Sequence, residues 1–501
     1  MVSGLARLEA LFVEPVLAGE IAAIEASLPI GARPRQLRVR TFLLGIACCL
    51  FDGRPAHLTR VHETLVSLPE ADRWRLGVMD ERRGVAHLLT YRQLEYLNHL
   101  LEKVLSKQEP DGRASARLQG LLDALVDASV PAAYEKAARA LALDWTDVIS
   151  FAHPPGKDGI SADPEAAWGH RRGGGPGAKS ELFFGHYLNL ATMVREEDRD
   201  EVPELVRQMT LSACDHDPVP VAVTALVARF EAGRLLPGDV LADSGYAHRV
   251  AEHFALPLRA AGASLVMDLH PNDRGPQGTF AGAIVANGNL YCPATPTALF
   301  DLDPLARGAG DQVVAAHDEK SAELARYKLG PITADDQDGH HRVSCPAVAG
   351  KIRCPLRPSS MALSYSHPSV LEPPEHPPVC CCQQSLTVAP SVNAKTRQKH
   401  DYPAKTWRRS YARRSAVERS NSRIKDPATI NVDKGWCRLM GLVGPSLFLA
   451  VALCCRNLAL VDAFESRQVE NARRRAVGLE PKTRRRRRKS LAELAGLGAS
   501  P

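Results

Sequence analysis

A single acidic residue, Glu418, lies in the strongly basic stretch YARRSAVERSNSRIK at residues 411–425. If this stretch is an α-helix, four side chains share one stripe about 60° wide, namely those of Tyr411, Arg414, Glu418 and Lys425. The carboxylate could form a surface ion pair with Arg414, which would stabilise the helix by only about 0.3–0.5 kcal/mol. It could also be a metal ligand beside cations that bind phosphate. The other acids of the chain are needed to choose between these interpretations.

Two aspartates follow short apolar segments that are typical of buried strands. Asp144 follows ALAL at residues 140–143, and Asp243 follows DVLA at residues 239–242. Side chains at the carboxyl ends of parallel strands meet in the crevice where ligands bind. We therefore expect Asp144 and Asp243 to lie close together. Neighbouring acids remain alternatives, which are Asp147 or Asp163 for the first position and Asp239 for the second.

Two strand-end aspartates and a helix-borne glutamate form a set of hard oxygen ligands, which suits Mg²⁺ or Mn²⁺. Two such ions about 3.5–4 Å apart activate a water or a 3′-hydroxyl and stabilise the leaving oxygen of a phosphodiester. Neighbouring Arg and Lys side chains would hold the phosphates of DNA. On this interpretation, Asp144, Asp243 and Glu418 are both metal ligands and catalytic residues.

The spacing Tyr411-x2-Arg414-x3-Glu418-x6-Lys425 resembles the Tyr-Arg-Glu-Lys signature of a large group of bacterial insertion-sequence transposases. GDVLADSGY at residues 238–246 is similar to the segment that carries the second catalytic Asp in that group. LALDWTDV at residues 141–148 is similar to the strand that carries the first. The resemblance covers about residues 140–465.

This resemblance implies a ribonuclease H-like catalytic core, an Asp-Asp-Glu triad, and DNA strand cleavage and transfer at the ends of an insertion sequence. The implied partners are double-stranded DNA, both terminal inverted repeats and target, and a second copy of the chain in a homodimer that holds the two ends. The group tolerates a domain inserted between the second and third acids. The DNA-binding residues would be Tyr411, Arg413, Arg414, Arg419 and Lys425.

Hydrophobic patterns divide the chain into five parts. Residues 1–130 have apolar residues at three- and four-residue spacing, which predicts a helical N-terminal domain; the resemblance implies that this domain binds DNA ends. Alternating strands and helices in 131–270 predict the first part of an α/β core with a partly parallel sheet. Residues 271–400 predict a loop-rich insertion rich in Cys and Pro. The core closes in 401–467 with the Glu418 helix and an apolar helix at 439–463, and 468–501 are expected to be a basic, disordered tail.

The insertion contains half of the 12 cysteines of the chain. Four of them could bind a structural Zn²⁺ through thiolates, namely Cys292, Cys345, Cys354 and Cys380. No CxxC pair is present. The irregular spacing is also consistent with reduced thiols that are simply buried or exposed.

Two other features have structural explanations. GGGPGAKS at residues 173–180 resembles a phosphate-binding loop, but Ala178 replaces the required Gly and no strong strand precedes it. The sequence therefore indicates a connector and not an ATP site. Trp407 could stack on an unpaired base, but packing in the core is the interpretation that we adopt.

Positive charge is concentrated near the C-terminus, although the net charge is only +6. Residues 395–425 carry eleven Lys or Arg against two acids, and residues 468–489 carry ten against two. This asymmetry predicts a polyanionic partner, although the run Arg484–Lys489 is also typical of a solvated tail. The start of the chain lacks a signal-peptide pattern, and the apolar run Leu439–Cys455 is shorter than the roughly 20 residues of a membrane span. We therefore expect a cytoplasmic, nucleoid-associated protein without a membrane segment and with reduced thiols.

Three functions agree with these observations. The first is a metal-dependent transposase, the second is an inactive DNA-binding remnant of one, and the third is a metal-dependent nuclease on the same fold. Retention of all three acids favours activity. Only the family resemblance favours transposition, because a fold does not determine a function.

Overall fold

A computed structural model describes residues 2–30, 35–55, 57–106, 109, 112–156, 159–172, 180–306, 308–426, 432 and 435–482. Helices occur throughout this part of the chain: α1 Val2–Leu11, α2 Pro15–Ser27, α3 Val39–Phe51, α4 Leu58–Val66, α5 Glu70–Arg75, α6 Tyr91–Leu105, α7 Ala116–Ala128, α8 Ala132–Glu135, α9 Pro218–Glu231, α10 Ser244–Ala247, α11 Ala255–Ala260, α12 Asp311–Tyr327, α13 Val379–Cys382, α14 Lys405–Tyr411, α15 Ser415–Lys425 and α16 Val443–Ala476. The strands are β1 Met79–Arg82, β2 Val85–Leu88, β3 Leu141–Ile149, β4 Ala167–Arg172, β5 Ser180–Met193, β6 Val206–Ala213, β7 Asp239–Ala242, β8 Ser264–Met267, β9 Pro276–Phe280, β10 Ala283–Ala286, β11 Asn289–Tyr291, β12 Gly330–Pro331, β13 His341–Ser344 and β14 Leu386–Val388.

A mixed sheet of six strands lies at the centre of the molecule. The strand order is β4-β5-β3-β7-β8, and β6 pairs with the same edge of β5 as β4 does. The three strands β3, β7 and β8 are parallel, whereas β5 is antiparallel to β3. Every residue of β6 and β7 is buried, as expected for strands that are covered on both faces. The predicted α/β class with a partly parallel sheet is thus confirmed.

The N-terminal region is mainly helical, as predicted, but it also contains a small hairpin that the sequence pattern did not indicate. Strands β1 and β2 pair antiparallel. The two residues between them, Arg83 and Gly84, both have positive φ, at 54° and 75°. Two consecutive left-handed residues give a turn whose twist matches that of the flanking strands. Because the first of them is Arg, the usual Asn-Gly or Asp-Gly signal is missing.

Helix α16 joins the N-terminal region to the sheet. It packs against α3, α7 and β6, and one hydrophobic core contains residues of all of these elements. The buried Asn457 bridges two of them, because its amide donates to Ser129 Oγ and to the backbone carbonyl of Val206, both at 2.9 Å. The N-terminal helices therefore share a core with the sheet and do not form a separate unit.

The same helix corrects the predicted start of the tail. It extends to Ala476, so residues 468–476 are helical and not disordered, while the run Arg484–Lys489 lies outside the described residues. By length and composition α16 could cross a membrane, but 72% of its most apolar 18-residue window is buried inside the protein. This burial is what a core helix shows, in agreement with the sequence interpretation.

The insertion has more regular structure than a loop-rich segment. Strands β9 to β11 form one antiparallel sheet, and β12 to β14 form a second. In chain order, the 17-residue helix α12 comes between these two sheets. From Cys345 to Pro378, however, the only helix described is the short 3₁₀ turn Pro358–Ala362. At the end of this insertion the chain passes along β8, where the Lys399 N–H donates to the carbonyl of Leu265 at 2.9 Å, and then enters α14.

Candidate active site

Helices α14 and α15 carry the basic motif to the edge of the sheet. The indole N–H of Trp407 donates to the carbonyl of Met267 at the end of β8 (2.8 Å), and its ring stacks on Tyr411 with centroids 4.9 Å apart. Trp407 is buried, which confirms that it packs in the core. The chain therefore enters the site from a fixed point on the sheet.

The basic stretch is not one continuous helix. A 3₁₀ turn at Ala412–Arg414 separates α14 from α15, so the single stripe predicted for Tyr411, Arg414, Glu418 and Lys425 is wrong across this break. Within α15 the buried residues recur at helical spacing, which presses one face of the helix onto the sheet. These residues are Ala416, Val417, Ser420 and Ile424. Glu418 lies beside this face and remains exposed.

The two predicted aspartates lie side by side on neighbouring parallel strands. Ala142 of β3 pairs with Leu241 of β7, and Asp144 and Asp243 are each two residues further on. They therefore point to the same side of the sheet. The prediction that Asp144 lies at the end of its strand is wrong, because β3 continues to Ile149 beside β5. Asp144 reaches the crevice because its neighbour β7 ends, and not because β3 does.

Arg414 brings the three acids together. Its Nη2 lies 3.3 Å from Asp144 Oδ1 and 3.2 Å from Asp243 Oδ2, and its Nη1 lies 2.6 Å from Glu418 Oε1. The exposed fraction of the side chain rises outward from 9% for Arg414 and 17% for Asp144 to 54% for Glu418. The three carboxylates thus converge on one point from two strands and one helix.

The charges of this cluster depend on one another. Burial, with a smaller contribution from the neighbouring Asp243, raises the pKa of Asp144 to about 6, although Arg414 acts in the opposite direction. Burial acts against the charge of Arg414, but the adjacent Tyr411 and the three acids keep its pKa above the usual value. The amide of Asn421 donates to Asp144 Oδ2 at 2.9 Å and so fixes the orientation of this carboxylate.

Asp243 is positioned by the turn that follows β7. Its Oδ1 accepts the backbone N–H groups of Gly245 (2.9 Å) and Tyr246 (3.3 Å), as the N-cap of α10. Its Oδ2 is left to face Arg414. A Cβ at Gly245 would lie 2.5 Å from the ring of Trp145, so only glycine allows this approach. In the motif DSGY, Asp243 caps α10, Gly245 allows the close contact with Trp145, and Tyr246 is buried.

One further acid lies at the same edge, and the sequence interpretation did not assign it to the site. Asp268 directly follows β8, where Ala242 pairs with Met267, and so it lies beside Asp243. It accepts a hydrogen bond from the hydroxyl of Tyr402 at 2.9 Å. Burial raises its pKa, whereas Tyr402 and Arg274 act in the opposite direction. The strand-end rule used for Asp243 would have identified this acid from the segment SLVMD.

The alternative acids have other partners. Asp147 receives Lys425 Nζ at 2.6 Å, and Asp239 receives Arg413 Nη2 at 2.7 Å. Asp163 is buried and accepts the hydroxyl of Ser150 at 2.6 Å. The geometry therefore favours Asp144 over Asp147 and Asp163, and Asp243 over Asp239.

The basic residues of the motif form ion pairs within the chain. Arg419 Nε lies 3.1 Å from Glu204, and Lys425 contacts Asp147, so both are anchored at the surface. Arg413 differs because only 4% of its side chain is exposed, and it joins the buried Asp239 to Glu197. We therefore correct the predicted role of Arg413 from a DNA contact to a structural one. Tyr411 is partly buried and stacks on Trp407, and Arg414 faces the acids.

A second group of possible metal ligands lies near the end of β8. One ligand atom from each of His248, His270 and Asp273 lies within 4.8 Å of the others. Asp273 also receives Lys395 Nζ at 2.7 Å, which supplies a positive charge to its carboxylate. The glycine-rich segment 173–179 lies outside the described residues.

No family model, curated protein or solved structure matches this chain. The assignment of a function therefore depends on the residues of the chain itself. The strongest of these observations is the convergence of Asp144, Asp243 and Glu418 on Arg414.

Proposed function

We propose that this chain is an Asp-Asp-Glu transposase that cleaves and transfers DNA strands at the ends of an insertion sequence. The observation that carries the proposal is the meeting of Asp144, Asp243 and Glu418 at one guanidinium. These acids are 99 or more residues apart in the chain, yet they converge at the edge of a sheet where ligands bind.

The topology of the sheet supports a ribonuclease H-like core. If β4 is left aside, the order across the sheet is β6-β5-β3-β7-β8. Numbered in chain order, these strands lie in the order 3-2-1-4-5, and strand 2, which is β5, is antiparallel to the others. This arrangement is the one expected of such a core. It places the first and fourth strands next to each other, and these two strands supply Asp144 and Asp243.

The residues present fit a site for divalent metal ions. Three carboxylates offer hard oxygen ligands of the kind that Mg²⁺ and Mn²⁺ prefer. Arg414 Nε and Asn421 Oδ1 are buried without a hydrogen-bond partner among the described residues, so the centre holds polar atoms that the fold alone leaves unsatisfied. Mg²⁺ held by Asp144, Asp243 and Glu418 would activate a water or a 3′-hydroxyl and stabilise the leaving oxygen.

The surrounding residues would prepare this site for DNA. Arg414 balances the negative charge of the acids in the metal-free chain and is well placed to turn towards a phosphate when cations replace it. Asn421 holds Asp144 in orientation. Lys425 and Arg419 lie on the same helix as Glu418, and their partly exposed cations, which pair with Asp147 and Glu204, would be the contacts for phosphates.

Cleavage of a labelled duplex that carries the DNA flanking the coding sequence tests this proposal. We expect nicking at the element boundary in Mg²⁺ or Mn²⁺, and its loss in Glu418→Gln with DNA binding retained. Glu319→Gln is a matched control, because Glu319 is exposed on α12 of the insertion.

The other outcomes separate the alternatives. Binding of the ends without cleavage by either protein would identify an inactive remnant. Cleavage that depends on Glu418 but occurs at positions unrelated to the element boundary would identify a nuclease on the same fold. Cleavage that persists in Glu418→Gln would refute the assignment of Glu418.

A further inference from the structure

Two histidines and an aspartate meet beside the candidate active site, on the turns that follow β7 and β8. One ligand atom from each of His248, His270 and Asp273 lies within 4.8 Å of the others. His248 ends α10, the short helix that Asp243 caps. His270 caps the 3₁₀ turn Pro271–Asp273 that follows β8, and Asp273 ends this turn. The group therefore joins two turns at the edge of the sheet where the acids converge.

Two of these ligand atoms already have the separation that a metal ion requires. His248 Nδ1 and Asp273 Oδ2 are 3.3 Å apart. Ligand atoms at about 2.0–2.1 Å from a tetrahedral zinc ion are about 3.3–3.4 Å from one another. The rings of His248 and His270 have centroids 3.9 Å apart and planes tilted by 30°. A shift of no more than about 1.5 Å would bring the third ligand atom to the same separation.

The carboxylate of Asp273 directs its two oxygens to separate partners. Oδ2 faces His248, whereas Oδ1 accepts a hydrogen bond from Lys395 Nζ at 2.7 Å. Carboxylates that bind a metal are commonly held by such an outer hydrogen bond. Lys395 therefore orients Asp273 and keeps Oδ2 directed at the histidines.

His270 is held by the turn that it caps. Its Nδ1 accepts the backbone N–H of Asn272 at 3.3 Å, which is at the long end of the range for hydrogen bonds. A metal on Nδ1 would replace this donor, and a metal on Nε2 would require the imidazole proton on Nδ1. Either arrangement gives up one weak hydrogen bond and gains a metal–nitrogen bond.

The neighbouring arginines have partners elsewhere. Arg249 Nε lies 2.8 Å from Asp217, and Arg274 Nε donates to the Leu269 carbonyl at 3.0 Å. The ammonium that binds Asp273 offsets its negative charge, so the group is nearly neutral when neither imidazole is protonated. An ion would therefore be held by imidazole nitrogen more than by charge. This favours Zn²⁺, which binds imidazole well, over Mg²⁺, which is bound through oxygen.

We propose that His248, His270 and Asp273 bind a Zn²⁺ ion, with water in the fourth position. Two imidazoles and one carboxylate form a ligand set of zinc sites that keep one position open. His248 is exposed, so the open position would face solvent. The site is separate from the three acids that converge on Arg414, and it does not depend on the proposed function.

A metal at this place would restrain the geometry of the neighbouring acids. The pairing of β7 with β8 ends at Ala242 and Met267. Asp243 and Asp268 directly follow these residues, and the zinc ligands lie further along the same two turns. An ion bound to both turns would join them beyond the end of the strand pairing. Zinc would thus act as a structural cross-link beside the candidate active site.

The cysteines of the insertion do not offer a comparable geometry. Within the described part of the chain, the set predicted from the sequence does not bring three ligand atoms within 4.8 Å of one another. This set is Cys292, Cys345, Cys354 and Cys380. The structure therefore does not support the four-thiolate zinc site that the sequence suggested, and the experiment has to separate nitrogen from sulfur ligands.

Titration of the full chain with Zn²⁺ against a chromophoric zinc indicator tests the proposal, with excess Mg²⁺ present to occupy the converging acids. We expect about one Zn²⁺ per chain, as for a single site. His248→Gln and His270→Gln should each weaken zinc binding more than about 100-fold, because loss of an outer partner alone costs about 10–100-fold. His253→Gln is the matched control, at an exposed histidine of the same region, and should bind zinc as the wild type does.

Co²⁺ in place of zinc identifies the ligand type in the wild type and needs no variant. Nitrogen and oxygen ligands should give visible d–d bands without a sulfur-to-cobalt charge-transfer band in the near ultraviolet. The proposal is overturned if the wild type binds no zinc, if its single ion shows the sulfur band, or if both histidine variants bind zinc normally. Zinc binding that is lost in Asp144→Asn but kept in the histidine variants would place the ion at the acids and would also overturn it. Because metal binding is the readout, failure to cleave DNA would leave this result unaffected.

Discussion

Replacing Arg414 by Gln removes the guanidinium that contacts all three acids of the candidate site. Asp144 and Asp243 would then face each other as neighbouring carboxylates without a compensating charge. The pKa of Asp144, which burial already raises to about 6, should rise further. The variant therefore isolates the electrostatic role of Arg414 from the roles of the acids.

The expected loss of stability follows from the exposure of the three pairs. At about 4 Å and an effective dielectric constant near 20, each pair attracts with about 4 kcal/mol before desolvation is counted. The pair with Glu418 is exposed and contributes only about 0.5 kcal/mol. Breaking a buried pair costs about 3–5 kcal/mol, and both aspartates are partly exposed. We therefore expect a loss of about 3 kcal/mol at pH 7 without metal. The loss should be smaller at pH 5, where Asp144 is protonated.

Mg²⁺ should compensate for the missing guanidinium. An ion that binds only the folded state adds about 2.7 kcal/mol of stability at one hundred times its dissociation constant. Urea unfolding followed by tryptophan fluorescence measures both effects, since Trp145 adjoins Asp144. For a chain of this size the shift of the midpoint is compared, because a single free energy of unfolding requires two-state behaviour. Mg²⁺ should raise the midpoint of Arg414→Gln more than that of the wild type.

Arg409→Gln is the matched control, because Arg409 is 77% exposed and pairs with the exposed Asp198. It should leave the midpoint and its response to Mg²⁺ unchanged. The reasoning is refuted if Arg414→Gln is as stable as the wild type at pH 7 without metal. It is also refuted if Mg²⁺ shifts the urea midpoint of neither Arg414→Gln nor the wild type, since the three acids would then not be metal ligands.

Three further predictions concern the residues that build the site. Gly245→Ala should destabilise the protein by about 1–3 kcal/mol through overpacking, because the new Cβ would lie 2.5 Å from the ring of Trp145; thermal unfolding measures this. The folded wild type holds a proton on Asp144, whose pKa is about 6, while the unfolded chain releases it near pH 3.8. Stability should therefore fall by about 3 kcal/mol in total as the pH rises from below 3 to above 7, with about 2 kcal/mol of this between pH 4 and 6, and urea midpoints across this range should show no such fall for Asp144→Asn. Arg413→Gln should destabilise the protein by about 1–3 kcal/mol, because Asp239 loses the buried guanidinium and keeps only Lys399, 2.9 Å away, and thermal unfolding measures this loss.

Each of these predictions has its own check. Gly19→Ala, on α2 with open space around the new Cβ, should be neutral or stabilising, and equal effects at Gly19 and Gly245 would count against the contact with Trp145. The same pH dependence in Asp144→Asn and wild type would show that another group takes up the proton. A stable Arg413→Gln variant that binds DNA weakly would return Arg413 to the DNA-contact role and contradict its structural assignment.

The sequence predicted the acids better than the elements that carry them. Asp243 was found because a short apolar strand ends at it, and DSGY has the local chemistry of a cap. The prediction of Asp144 rested on the assumption that it ends its strand, and this assumption is wrong. Strand β3 continues through Asp144 to Ile149, and the crevice opens only because the neighbouring strand β7 ends at Ala242. Nothing in a single sequence reports where a neighbouring strand stops.

The basic motif shows a second limit of sequence reasoning. A helical wheel assumes one unbroken helix, and the 3₁₀ turn at Ala412–Arg414 rotates one half of the motif against the other. Composition also does not distinguish a buried arginine such as Arg413 from one on the surface, because both look equally basic. Asp268 was missed although the strand-end rule applied to it, because the triad of the resembled group left no place for a fourth acid.

The shared core around α16 has a consequence for damage to the gene. The N-terminal helices and the sheet are both completed by a helix that begins at Val443. A stop codon or frameshift between Glu418 and this helix would leave apolar surfaces on both parts uncovered, although Asp144, Asp243 and Glu418 would still be encoded. Such a product would be degraded or would aggregate, and would not persist as a DNA-binding competitor of the intact protein. Late truncations should therefore behave as simple losses of function.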